Sequence, residues 1–97
     1  MLALSPDSRF ELEEDILLQA LPEFDHYYAF NTKDGDNFKL NHTAHWALAA
    51  IGNGVIYAEL LEGFSTKFDL DRKTAEQDLR EVLQYALENK IIKEVKP

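Results

Sequence analysis

Two histidines near the middle of the chain are spaced so that both could bind one metal ion. His42 and His45 are three residues apart at the start of a predicted helix, which places both imidazoles on one face. A tight site needs a third ligand, and none is adjacent in sequence. We interpret the pair as exposed histidines near a helix end, and we expect neither a metal site nor a cofactor.

Carboxylates near the N-terminus and in a central turn suggest two other kinds of chemistry. A catalytic acid/base pair requires buried carboxylates. On a charged strand or loop the carboxylates are solvated instead, and we expect this for Glu11, Glu13, Glu14 and Asp15. The run Asp34-Gly35-Asp36 lacks carboxylates at the first, third and twelfth positions of a calcium loop. We therefore predict a β-turn there.

The remaining motifs of common enzymes are absent. Ser65 lies in Gly63-Phe64-Ser65-Thr66-Lys67, which lacks the second glycine of a nucleophile elbow. There is no phosphate-loop or dinucleotide-binding glycine pattern. The absence of cysteine excludes thiolate metal sites and cysteine catalysis. We expect a protein that is not an enzyme.

The size of the chain indicates one domain. It has 97 residues, of which 45% are hydrophobic, enough for one modest core. No apolar run approaches the length of about 20 residues that a membrane helix needs, and the N-terminus has no secretory pattern. We expect a cytoplasmic protein with no membrane partner, made of a flexible N-terminal arm over residues 1–9 and a single domain over residues 10–97.

The net charge of −8 comes almost entirely from the N-terminal part. Residues 1–36 contain nine acids against Arg9 and Lys33. An acidic surface repels phosphate and provides no release of counterions on binding nucleic acid. The charge either keeps the protein soluble or attracts a basic partner, and it argues against a nucleic-acid partner.

The first half of the domain has the pattern of a β-hairpin. Residues 27–30 include three aromatic side chains and favour a strand, residues 31–36 contain turn-forming residues, and residues 37–40 alternate polar and apolar side chains. Phe38 and Leu40 should therefore share the inner face, with Lys39 outward. A strand near residues 14–20 should pair with this hairpin.

From residue 41 the apolar period becomes helical. Asn41 or Thr43 can cap a first helix that ends at Gly52-Asn53-Gly54. A second helix carries Ile56, Leu60, Leu61 and Phe64 on one stripe. A third begins at Asp71 or Thr74 and ends near Lys90, and Ile91, Ile92 and Val95 should return to the core.

Trp46 lies on the side of the first helix opposite Leu48 and Ile51. Either the strands or the tail cover it, or it forms an apolar contact patch for a partner or a second copy of the chain. A homodimer is therefore worth testing.

The segment from Asn37 to Gly54 resembles the signature of the PqqD family, the pyrroloquinoline quinone (PQQ) synthesis protein D group, also known as peptide recognition elements. Leu40, Asn41, Thr43 and Ala44 match the strand-ending motif of that family, and Gly54-Val55 matches the glycine before its second helix. The third helix carries further similar positions, namely Ala75, Asp78-Leu79, Leu83, Leu87 and Ile91-Ile92. The resemblance extends over about residues 10–95.

The resemblance implies an α+β fold of the winged helix-turn-helix type, with a small antiparallel sheet of two or three strands followed by three helices. It also implies a non-catalytic peptide chaperone in PQQ-type or related peptide biosynthesis. Such proteins bind the leader segment of a ribosomally made precursor peptide as an added strand. They present it to a radical S-adenosylmethionine enzyme or another modifying enzyme.

In this sequence the added strand would lie along Asn37, Phe38, Lys39 and Leu40, beside the third helix. The rotation of that helix leaves two sets of groove residues open: either Asp78, Val82 and Tyr85, or Arg80, Leu83 and Leu87. Core packing is the competing role for this apolar stripe, above all for Leu79 and Leu83.

The alternative function is a winged-helix regulatory or DNA-binding module, because the same fold reads DNA with its third helix. Between Thr74 and Glu88 that helix has a local charge of −3, with Arg80 as its only base. Such a helix would meet phosphates unfavourably, so the charge argues against DNA.

Overall fold

The computed structural model describes residues 3–95, which form two antiparallel sheets and three helices. In chain order the elements are β1 (Arg9–Leu12), β2 (Ile16–Leu21), a 3₁₀ turn (Pro22–Phe24), β3 (His26–Asn31), β4 (Asn37–Leu40), α1 (His42–Gly52), α2 (Tyr57–Lys67), α3 (Arg72–Glu88) and β5 (Ile92–Val95). The predicted α+β fold of a small antiparallel sheet followed by three helices is confirmed. None of the helices in the described part has the length and apolarity to cross a membrane.

The larger sheet has the strand order β2–β3–β4 and confirms the predicted hairpin. β3 pairs with β4 so that Ala29 lies opposite Phe38 and Tyr27 opposite Leu40. Two local features stabilise the turn between them. The Asn31 side-chain oxygen accepts hydrogen bonds from the backbone N–H groups of Lys33 and Asp34, and Gly35 has a φ of 80°. β2 pairs with the other side of β3, as predicted for residues 14–20.

The pleat of this hairpin separates a core face from an outer face. Tyr27, Ala29 and Leu40 are buried, Phe38 is partly buried against the core, and Lys39 is exposed. The predicted inward direction of Phe38 and Leu40 is therefore confirmed.

α1 packs on the core face of this sheet, and α2 packs against α1 and α3. Asn41 caps α1, since its Oδ1 accepts the backbone N–H of Ala44 at 2.8 Å. α2 starts one residue later than the predicted stripe implied: Ile56 is the cap residue, and its backbone N–H donates to the Glu59 carboxylate at 3.2 Å. The place of Ile56 on the buried stripe is taken by Tyr57.

α3 starts at the earlier of the two predicted positions. The carboxylate of Asp71 accepts the backbone N–H of Thr74 at 2.7 Å, and the helix begins at Arg72. This start brings Arg72 and Lys73 into the helix, so α3 as a whole holds four acids and three bases. The −3 expected for residues 74–88 therefore overstates the charge of the complete helix, which is −1.

A second, two-stranded sheet joins the two ends of the domain. β1 pairs with β5, with Phe10 opposite Glu94 and Leu12 opposite Ile92. Ile91 and Ile92 return to the core as predicted, whereas Val95 stays 37% exposed. Residues 3–9 of the expected arm lie against α2, where the carbonyl oxygens of Pro6 and Ser8 accept the N–H groups of Ala58 and Tyr57.

The core lies where the three helices meet the two sheets. Its largest fully buried side chains are Leu48, Ile51, Phe64, Leu79, Leu83, Ile91 and Ile92. α3 contributes two of them, so this helix is anchored with one face inward. That anchoring determines which of its side chains remain available beside β4.

Candidate functional site: a free strand edge beside the third helix

β4 is an edge strand whose outer side has no strand partner within residues 3–95. The Asn31 N–H donates to the Asp36 carbonyl at 2.8 Å, which marks residues 31 and 36 as a hydrogen-bonded pair. In an antiparallel pair, hydrogen-bonded and non-bonded positions alternate. Phe38 and Leu40 therefore direct their backbone groups to β3, whereas Asn37 and Lys39 direct theirs to the free edge.

A groove runs beside this edge, and we call it the β4–α3 groove. It is lined by the end of β4, the first turns of α1 and one side of α3, and it has a volume of about 390 Å³. Its lining residues are Lys39, Leu40, Asn41, Thr43, Ala44, Leu48, Asp78, Glu81, Val82 and Tyr85. An extended peptide on β4 would therefore have a helix along its other side.

The rotation of α3 distinguishes the two sets of groove residues that the sequence left open. Asp78, Val82 and Tyr85 line the β4–α3 groove. Leu83 lies in the core with no exposed surface, and Leu87 is partly buried against the core. Arg80 lines a different concavity, which Leu4 and Tyr57 also border.

The strand residues of the predicted site have different positions. Lys39 and Leu40 line the groove, while Asn37 and Phe38 lie earlier on the same strand and are not among its lining residues. The prediction missed Glu81 on α3 and four residues at the β4–α1 junction, namely Asn41, Thr43, Ala44 and Leu48. Most of these belong to the Leu40-Asn41-x-Thr43-Ala44 motif, so the motif itself was a signal for this wall.

The two walls of the groove differ in charge. Asp78 and Glu81 stand on the helix side, whereas Lys39 lies on the strand side with its side chain directed to the outer face of the sheet. The same groove also contains the apolar side chains of Leu48 and Val82, so its surface is apolar in one part and charged in another. Such a surface suits a peptide with both apolar and charged side chains.

The two histidines of the first helix lie near the groove but contact aromatic rings. His42 stacks on Tyr27 with ring centroids 5.3 Å apart, and His45 lies 5.1 Å from the same ring. Burial lowers the pKa of His45, and the neighbouring His42 lowers that pKa further. Within residues 3–95, no group of three metal-ligating side chains surrounds them.

The N-terminal carboxylates lie on the second sheet, away from the groove. Lys93 Nζ is 3.3 Å from a Glu11 oxygen and 4.0 Å from a Glu13 oxygen, and all three side chains are at least one third exposed. The Glu11 carboxylate raises the pKa of Lys93. These are surface ion pairs, which contribute little to stability.

Trp46 packs within the chain, against α2 and the residue that follows it. Its indole lies 6.1 Å from the Phe64 ring and 5.8 Å from the Phe68 ring. It also lies over Gly63, where an added Cβ would come within 3.1 Å of Trp46 Cη2. Trp46 is therefore partly buried against α2 and Phe68, and the homodimer stays a prediction.

Two solved structures have the same fold. One is TbiB1 in complex with the TbiA(beta) leader peptide, with a TM-score of 0.76 and 16% identity over 90% of this chain and 99% of that chain. The other is lasso peptide synthetase B1 complexed with the leader peptide, with a TM-score of 0.74 and 19% identity over 88% of this chain and 98% of that chain. No curated protein matches the chain.

The sequence itself matches a family model over most of its length. The model is that of coenzyme PQQ synthesis protein D, PqqD, and the matched residues are 26–92. They extend from the start of β3 to the start of β5 and so include the free edge and the α3 wall. With this match, the resemblance noted in the sequence is confirmed, and the chain belongs to the PqqD family.

Proposed function

We propose that this protein is a non-catalytic peptide chaperone in PQQ-type or related peptide biosynthesis. It binds the leader segment of a ribosomally made precursor peptide as a strand added to β4 and presents that precursor to a modifying enzyme. The observation that carries the proposal is the free edge of β4 beside the groove under α3.

The backbone of β4 supports strand addition. Lys39 and Asn37 direct unpaired N–H and C=O groups outward, and no proline interrupts them. An extended peptide can complete this ladder and obtain its affinity from main-chain hydrogen bonds. The strand is short and charged at Lys39, which limits pairing with unrelated chains.

The side chains of the groove support selection among peptides. Leu40 and Leu48 are buried at its base, and Val82 and Ala44 are partly buried beside them. In strand addition, specificity comes from pockets that receive alternate side chains of the peptide. The apolar base is such a pocket for one inward-facing side chain of the leader.

The relatives support the class of ligand. Both similar structures are complexes with leader peptides, and the family is one of PQQ synthesis. A partner that modifies the bound precursor follows from this role, and we propose a radical S-adenosylmethionine enzyme or another modifying enzyme. The protein then contributes recognition, and the partner contributes the chemistry.

Titration of the ¹⁵N-labelled chain with leader peptides tests the proposal. The peptides are the N-terminal segments of short open reading frames beside its gene, and scrambled versions are the control. We expect submicromolar binding by calorimetry, with amide shifts in residues 37–41 and 78–85. Binding without shifts in either segment, or no binding by any leader, would contradict the proposal.

A further inference from the structure

The α3 wall of the β4–α3 groove holds two carboxylates, those of Asp78 and Glu81. Asp78 and Glu81 are three residues apart, so they lie on one face of the helix. Neither forms an ion pair within residues 3–95, although Lys39 lines the same groove. The nearby acid Glu76 is different, because Arg72 pairs with it at 3.1 Å.

The surface next to these carboxylates is apolar. Val82 and Tyr85 follow Asp78 along the groove, and Leu40 and Leu48 form its base. A side chain that fills this space must bury an aliphatic stem and end in a cationic group. Lys and Arg have this construction, and their stems pack on apolar surface while the charged head reaches a polar rim.

The geometry of an added strand determines which peptide side chains reach this wall. Side chains alternate between the two faces of a sheet, so every second peptide residue points to the face that carries Phe38 and Leu40. α1 packs against that face, and α3 lines the groove beside it. Residues in between point to the outer face with Lys39, where a basic residue would be repelled.

We infer that Asp78 and Glu81 determine specificity for a leader segment that carries Lys or Arg at an inward-facing position. The inference rests on the proposed strand addition and adds the chemical class of the ligand. The chain's net charge of −8 acts in the same direction, because it attracts basic peptides from a distance.

The test uses a displayed library of random peptides of about twelve residues, longer than a typical strand. The full chain is the bait at low ionic strength. Peptides are kept only if Lys39→Pro weakens their binding at least about fivefold, which selects those that use the free edge of β4. The enriched peptides are synthesised and titrated against Asp78→Asn, Glu81→Gln and the double variant. Glu76→Gln is the matched control, because it removes one charge from α3 outside this groove.

We expect Lys or Arg to be enriched at one alternating position of the selected peptides. Each single substitution should weaken binding about two- to fivefold and the double variant about tenfold, whereas Glu76→Gln, which changes only the net charge, should weaken it by less than about 1.5-fold. Replacing the peptide's basic residue with Gln should cause the same loss of affinity for the unchanged protein. It should not change the affinity for the double variant, which lacks both carboxylates.

The outcomes separate the inference from the proposed function. Two results would overturn the inference and leave strand addition intact. Either the peptides that need the β4 edge show no enrichment of Lys or Arg, or they bind the double variant as tightly as the unchanged protein. A library that yields no peptide dependent on the β4 edge would overturn both.

Discussion

Phe38 and Lys39 are neighbours in sequence but offer their backbone groups to opposite sides of β4. Phe38 lies opposite Ala29 in a hydrogen-bonded pair, and Lys39 directs its N–H to the free edge, as the bond from Asn31 to Asp36 requires. A proline at Phe38 would therefore disrupt the sheet itself. A proline at Lys39 removes a donor that only a bound peptide would use.

Lys39→Pro should accordingly weaken leader binding by at least about fivefold, because it removes one main-chain hydrogen bond at the edge. Lys39→Ala separates the loss of the side chain from the loss of the N–H. Ala20→Pro is a matched control, since Ala20 holds the same kind of outward position on β2, the other edge of this sheet. Calorimetry measures the three affinities, and wild-type affinity for a folded Lys39→Pro variant would show that the peptide binds elsewhere.

Leu79→Ala should lower the free energy of unfolding by about 2–5 kcal/mol, because the Leu79 side chain has no exposed surface and its truncation leaves a cavity. Gln84→Ala, at an exposed position of the same helix, should change it by less than about 0.5 kcal/mol. Urea denaturation followed by circular dichroism gives both values. A loss below about 1 kcal/mol for Leu79→Ala would mean that α3 is rotated away from the core there.

Asn41→Ala should destabilise the protein by about 1 kcal/mol, because the cap bond to the Ala44 N–H is lost. Asn41→Ser keeps an acceptor and should recover most of that loss. Thermal unfolding distinguishes the two variants, and a wild-type melting temperature for Asn41→Ala would indicate that the cap contributes nothing.

Stability should fall as the pH drops below about 6.5, the ordinary pKa of a histidine. The pKa of His45 is lowered from its ordinary value of 6.5 in the folded chain, so the unfolded chain binds its proton first. The contribution of His45 to the free energy of unfolding is therefore complete above pH 6.5 and decreases as the pH falls towards the lowered pKa. His45→Gln should flatten this part of the profile of unfolding free energy against pH, and an unchanged slope would contradict the assignment to His45.

Random duplex DNA should not be retarded by the protein in a gel-shift experiment at low salt. Arg72 and Lys73 make the start of α3 less acidic than the sequence suggested, but the chain as a whole carries −8. Retention of DNA at protein concentrations that saturate leader binding would favour a regulatory function instead.

Local patterns were sufficient for much of this fold. The hairpin of β3 and β4 follows from strand-forming residues on both sides of a turn with Asn31 and Gly35, and the start of α1 follows from Asn41. These features depend on interactions between residues at most a few positions apart. For the same reason, the motif from Leu40 to Ala44 was recognisable without a structure.

Long-range packing decided the rest. The apolar stripe of α3 places Leu79 in the core under either rotation, so the groove could be bordered by Val82 or by Leu83 until the neighbouring elements were in place. The pairing of β1 with β5 joins segments about 80 residues apart in sequence, so no local turn motif predicts it. Periodicity shows which side of a helix is apolar, but contacts between distant elements determine how far that side is turned.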